Sequence, residues 1–176
     1  MKTLKEFLKK HEACEEGYLF AKDLTLEQFL DTCEKGDWIL WLFNKSNPKD
    51  KRLRTLVAGH CANTVRHLMK DERSRKAVDV AIKYGEGKAT IQQLEIATSA
   101  AHAAAYTSAY TTDADAYAAS AAYAYAAYAA HAYDDIYVYA STSASLAAAF
   151  ASTKTNEKLT ADICRKYLPI ELWNIN

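Results

Sequence analysis

Apolar positions along this chain recur mainly at intervals of three and four residues. Between Asp50 and Lys70, residues Leu53, Leu56, Val57, His60, Cys61, Thr64, Val65 and Leu68 share one face of a helix. Val78, Ala81 and Ile82 give a second inward row, predicting a helix over about Glu72–Tyr84 that ends at Gly85-Glu86-Gly87. Thr3-x-x-Glu6, Thr25-x-x-Gln28 and Thr90-x-x-Gln93 each fit the capping box, in which two side chains satisfy the first free amides of a helix. Gly17 and Gly36 read as helix stops, and Asp37 as the cap of a short apolar helix, Trp38 to Phe43, ahead of the Asn47-Pro48 break. So dense a run is expected to be buried on nearly every side, with Trp38 and Trp41 in the core.

From Lys88 to Leu168 the chain has no glycine and is dominated by alanine, the best helix former. A single straight helix over the 55 residues Ala97–Ala151 would be about 80 Å long, against a radius of gyration of about 16 Å for a compact domain of this size. The stretch is therefore expected to fold back on itself, breaking at Thr111-Thr112-Asp113 and Ser141-Thr142-Ser143, whose side chains compete for backbone partners. The alternation in DADAYAAS gives a minor strand reading. The predicted class is all-α, one domain over 1–176. It has a charged helical half (1–88), an Ala/Tyr-rich helical array (89–153) on which the short N-terminal helices pack, and a C-terminal helix and tail (154–176).

Charge changes this picture by its distribution. The chain carries 22 basic and 22 acidic residues, with no basic excess of the kind a general nucleic-acid binder shows. Its 12 Tyr, 3 Trp and 5 Phe need burial or a partner, which excludes wholesale disorder. Yet Ala97–Ala151 holds 25 Ala, four acids (Asp113, Asp115, Asp134, Asp135) and no Lys or Arg. Two uncharged runs in it, Ala116–Tyr133 and Ile136–Thr153, approach transmembrane length, but Ala, Tyr, Ser and Thr drive insertion weakly, so no membrane span is expected. The opening MKTLKEFLKK has no apolar core of a signal peptide, and Cys14, Cys33, Cys61 and Cys164 form no C-x-x-C pair. Both point to a cytoplasmic protein with reduced thiols.

Within the array, Tyr106, Tyr117, Tyr128 and Tyr139 repeat every eleven residues, close to three helical turns. At about 100° per residue, these four together with His102, Tyr110, Asp113, His131 and Asp135 fall within an arc of roughly 100°. Alanine elsewhere permits close helix approach, so this face supplies the bulk and the hydrogen bonding. Two explanations compete. One is a packing seam in which tyrosines fill space. The other is a binding groove in which aromatics grip a ligand while His and Asp orient it.

Candidate chemistry is otherwise sparse. No H-E-x-x-H, Walker loop, G-x-S-x-G or dinucleotide fingerprint is present, and no nucleophile stands beside a base, so neither an enzyme nor a cofactor is expected. His131-x-x-Asp134-Asp135 would place three ligands on one helical side, but without a second ligand cluster it reads as a charged patch and no metal is predicted. His60 and His67 read as satisfied, partly buried side chains. Arg66, Lys70 and Arg73, with Arg75 and Lys76 nearby, form either a solvated face or a contact for phosphate or an acidic partner.

The order of Cys-Glu-Glu-Gly-Tyr, GDWILWLF, LRTLVAGHCANTVRHLM, DERSRKAVDVAIKYGEGKAT and a long alanine-rich array resembles the alanine-rich immunity proteins of phages and bacteria. The likeness extends over most of the chain and is most specific at Asp37-Trp38…Trp41-Leu42 and Asp71–Ala81. It implies a protein that neutralises something by binding. The leading expectation is a non-catalytic immunity or phage counter-defence protein that sequesters a small nucleotide-derived immune signal. Tyr106, Tyr110, Tyr117 and Tyr128 would stack on it, His102 and His131 orient it, and Arg66, Arg73 and Arg75 hold its phosphate. An inhibitor of a protein toxin or effector and a structural self-assembling protein are the alternatives. A homo-oligomer is expected in either case, since a large uncharged face needs cover.

Overall fold

The computed structural model describes residues 3–108 and 155–175, with side chains at 3–104 and 157–175. Among the described residues the fold is all-helical, with eight α-helices and no strand. They are α1 (Leu4–Lys10), α2 (Glu15–Ala21), α3 (Leu26–Thr32), α4 (Gly36–Ser46), α5 (Lys51–Asn63), α6 (Glu72–Gly85), α7 (Ile91–Ser108) and α8 (Thr155–Tyr167), with single 3-10 turns at Arg66–Leu68 and Ile170–Leu172. The predicted break points at 111–113 and 141–143, the DADAYAAS segment, Tyr110, Tyr117, Tyr128, Tyr139, His131 and the acids at 113, 115, 134 and 135 lie outside the described residues, as does the Tyr106 side chain.

All three capping boxes form. The Glu6 amide donates to Thr3 Oγ1 at 3.3 Å while the Thr3 amide donates to the Glu6 carboxylate at 3.0 Å. The same reciprocal pair joins Thr25 to Gln28 and Thr90 to Gln93. Asp50 caps α5 and Asp71 caps α6.

The two glycine stops are corrected. Gly17 lies inside α2, and Gly36 begins α4, leaving Asp37 in its first turn behind an N-cap, Lys35, that makes no side-chain cap bond. These glycines are contact points. A Cβ on Gly36 would lie 2.7 Å from the Thr160 carbonyl carbon, so α4 and α8 cross backbone to backbone. The expected helix to Lys70 also stops early, at Asn63. There the Thr64 hydroxyl donates to the Cys61 carbonyl at 2.7 Å, competing with the next helical bond.

Ile39, Leu40, Leu42 and Phe43 of α4, Val57, Ala58 and Cys61 of α5, and Cys164 and Leu168 of α8 make the main core. A second cluster is mostly small: Ala77 and Ala81 of α6 lie against Leu94, Ala97 and Ala101 of α7, allowing the close approach that alanine permits. Arg165 on α8 reaches back to the end of α3, its Nε donating to the Leu30 carbonyl at 2.6 Å and its Nη2 to the Cys33 carbonyl at 2.5 Å. Trp173 closes the tail over α4, its ring 5.1 Å from that of Phe43 in an edge-on arrangement. All four cysteines are free thiols. Burial pushes Cys33 up to about 11 and raises Cys164 well above the ordinary thiol, so both behave as small hydrophobes, the role expected of Cys61.

Candidate functional site

α6 and α7 run side by side through a turn at Gly87, whose φ of 77° suits glycine. On one side of this pair opens a groove of about 470 Å³. Arg73, Lys76, Val80 and Lys83 enter it from α6, spaced by three, four and three residues and so on one helical stripe. Lys88 and Ala89 close it at the turn, and Gln93, Ile96, Ala97 and Ala100 line it from α7. Its floor is thus apolar, its rim carries four cations, and no carboxylate lines it among the described residues. Ile96 is 72% exposed, an unusual position for a large aliphatic side chain.

The four cations are not equivalent. Arg73 grips the Asp71 carboxylate, the shortest contact being 2.6 Å, and that bond holds Asp71 below the usual carboxylate range. Lys88 pairs with Glu86 at 2.9 Å. Lys76 and Lys83 are exposed and make no ion pair with any described residue. Exposed ion pairs contribute little to stability, so Arg73 and Lys88 can exchange partners at small cost.

The predicted arginine trio is divided. Arg66 and Arg75 border a different, shallow cleft with Asn63, His67 and Glu72. Arg66 holds Asp79 with two bonds, 2.7 and 3.0 Å, and donates to the Arg75 carbonyl at 3.1 Å. Arg75 Nε donates to the Met69 carbonyl at 2.7 Å, and its Nη1 meets Glu72 at 3.2 Å. These guanidinium groups fasten the 3-10 turn to α6. His67, expected to be partly buried, is exposed because the helix ended before it; His60 is half-buried and stacks on Tyr167 with centroids 4.6 Å apart. Burial lowers the His60 pKa. On α7, His102 is exposed while Ala101 and Ala104 are buried, so the first member of the tyrosine stripe faces away from the α6 contact. Sequence reasoning missed Lys83, Lys88 and Ile96. The phase of Lys83 with Arg73 and Lys76 was a usable signal; the turn that brings Lys88 over the groove was not.

A second concavity lies among α1, α2, α3 and α4. Trp38 and Trp41 are half-buried rather than core, and with Leu8, Ala13, Cys14, Gly17, Phe29, Asp37 and Leu42 they wall a cavity of about 120 Å³. Their neighbours Ile39, Leu40, Leu42 and Phe43 are at most 1% exposed, so α4 buries one face fully and turns the other to this cavity. Desolvation raises the Asp37 carboxyl above its ordinary 3.8. A raised folded-state value means that Asp37 favours the fold most below pH 3.8 and that this contribution is lost as pH rises through the folded-state pKa. Asp37→Asn is therefore expected to melt higher than the parent at neutral pH, the gain vanishing in acid. Melting curves from pH 3 to pH 8 check this, and a parent that is the more stable at neutral pH would refute it.

The chain matches no protein-family model, no characterised protein and no solved structure.

Proposed function

We propose that this protein is a non-catalytic binder that sequesters a small anionic ligand of nucleotide type, in the manner of an immunity or counter-defence protein acting in the cytoplasm. The α6–α7 groove carries the reading. Among the described residues it offers a cationic rim, with Lys76 and Lys83 outside any ion pair, over an apolar floor, and its lining includes no carboxylate. Phosphate oxygens suit Lys76, Lys83 and Arg73, since hydrogen bonds between charged partners are the strong ones. A planar base suits Val80, Ile96 and the alanines beneath. Among the described lining residues there is no imidazole, thiol or carboxylate, so the groove supports binding and supplies no general acid–base pair. Arg66 and Arg75 act here as supports for α6, and Arg73 is the member of the trio that reaches the ligand.

Differential scanning fluorimetry with mono-, di- and triphosphate nucleotides and cyclic dinucleotides tests the reading. A true ligand at about a hundred times its Kd should stabilise the fold by about 2.7 kcal/mol. Lys76→Glu with Lys83→Glu should leave melting nearly unchanged and weaken binding by about a hundredfold, with the parent affinity falling as salt is added. No thermal shift with any phosphate compound, or equal affinity in the double variant, would sink the proposal.

A further inference from the structure

The cavity walled by Trp38 and Trp41 shares no lining residue with the α6–α7 groove. Its volume limits what it can hold. An engineered cavity of about 150 Å³ holds one benzene, while pockets for whole drug-sized ligands measure about 300–1,000 Å³. At about 120 Å³ this one has room for a single six-membered ring and none for a fused ring system. Its walls favour a ring over an aliphatic chain. Trp38, Trp41 and Phe29 present aromatic surface to it, and aromatic pairs in offset or edge-on arrangement gain more than the area they bury. Phe20 extends the cluster, its centroid 5.7 Å from that of Trp38 and 6.1 Å from that of Phe29.

Charge selects a neutral occupant. Asp37 is the one carboxylate among the lining residues, so an anion would meet like charge there. A cation fares no better. The Lys35 ammonium lies over the Trp38 ring, 4.2 Å from its centroid, and Lys5, Lys9 and Lys10 stand exposed on α1, the helix that supplies Leu8 to the wall. What the cavity does offer is one acceptor in an apolar wall. Backbone amides at 37 and 38 already reach the Asp37 carboxyl, but a carboxylate has about four acceptor positions. Burial has stripped water from this one and raised its pKa. A donor carried in on a ring would replace that water, and a hydrogen bond to a charged acceptor is the strong kind.

We propose that this cavity binds a small neutral phenol, its single ring set against Trp38 and Trp41 and its hydroxyl donating to the Asp37 carboxylate. The two requirements act together: the volume and aromatic walls set the ring, and the lone acceptor sets the hydroxyl. A phenol ionises near pH 10, as the tyrosine side chain does, so it enters uncharged at neutral pH.

The test titrates phenol and toluene, rings of one size that differ in the donor, into the full-length protein and follows the indole N–H resonances by NMR. Phenol should shift those of Trp38 and Trp41 saturably and leave that of Trp173, which packs on Phe43, in place. Toluene should bind at least about tenfold more weakly, and so should benzoate and benzylammonium, the charged counterparts. Asp37→Asn, expected above to melt higher and hence to fold, should narrow the margin between phenol and toluene at least about threefold, because a neutral acceptor makes the weaker bond. Filling the cavity with Ala13→Phe should abolish binding of both rings. Should that variant fail to fold by circular dichroism, the Asp37→Asn comparison decides. No saturable shift at Trp38 and Trp41, equal affinity for phenol and toluene, or an unchanged margin in Asp37→Asn would overturn the proposal. So would tighter binding of N-acetyltyrosinamide than of phenol, which would assign the cavity to a tyrosine side chain of a partner protein. The groove variants Lys76→Glu and Lys83→Glu lie outside this site, so the failure of one reading leaves the other standing.

Discussion

Gly85→Ala is expected to destabilise the protein by about 2–3 kcal/mol, although alanine is the better helix former. Gly85 ends α6 where that helix crosses α5. A Cβ there would sit 2.7 Å from the Leu56 Cα and 2.8 Å from the Leu56 nitrogen. Those are backbone atoms, so no rotamer change relieves the collision, and the two helices must part. For a chain of this size the melting temperature should fall by roughly 5–10 °C. Gly17→Ala is the contrasting case. Its Cβ would meet the Cys14 sulfur at 3.2 Å and the Trp38 ring at 3.7 Å, side chains that can yield. The same substitution there should be neutral or gain up to about 1 kcal/mol from propensity. Thermal melts of both variants test the crossing, and a Gly85→Ala protein that melts like the parent would mean that α5 and α6 do not approach in this way.

Trp173→Ala should cost about 3–5 kcal/mol, the range for deleting a buried tryptophan. Trp173 is 9% exposed, its ring meets Phe43 edge-on, and its Nε1 donates to the Leu168 carbonyl at 3.0 Å. Trp173→Phe keeps most of the ring contact and removes the donor, so about 1 kcal/mol should be lost in that case. Urea denaturation of both variants separates packing from hydrogen bonding. Equal losses would assign the whole effect to the indole N–H.

What could be read from the chain beforehand was local. The three capping boxes involve residues three apart, and their chemistry is complete within one helical turn, so spacing alone located three helix starts. The helical class follows from apolar period, and the alanines at 97 and 101 do provide the close contact on α6. Errors arose where a residue serves a distant partner. A glycine that ends a helix and a glycine that admits another helix look alike in sequence, and Gly17 and Gly36 are of the second kind. The ion pairs of Arg66 with Asp79 and of Arg75 with Glu72 had no signal in the sequence, because the turn that delivers Arg66 to α6 has no periodic signature. Arg54 had no signal at all: it is 3% exposed and bound by the Pro48 and Asp50 carbonyls, inside a helix whose apolar row gave no hint of a buried cation. A dense apolar run does not reveal which side faces a cavity, so Trp38 and Trp41 read as core in the sequence and prove half-buried. Of the candidate site, Arg73 and Lys76 were legible, and His102 is the one member of the tyrosine stripe among the described side chains.

The seating of α8 on α4 and α5 bears on how the chain is made. The Cys164 thiol contacts the Gly36 carbonyl across 128 residues of sequence, and Cys61 meets the Thr160 carbonyl across 99. A ribosome adding about 5–20 residues per second therefore exposes the inner face of α4 for on the order of ten seconds before its cover is synthesised. Throughout that interval the nascent polypeptide displays Ile39, Leu40 and Phe43 to the cell. Apolar surface left open for that long favours aggregation of the unfinished chain.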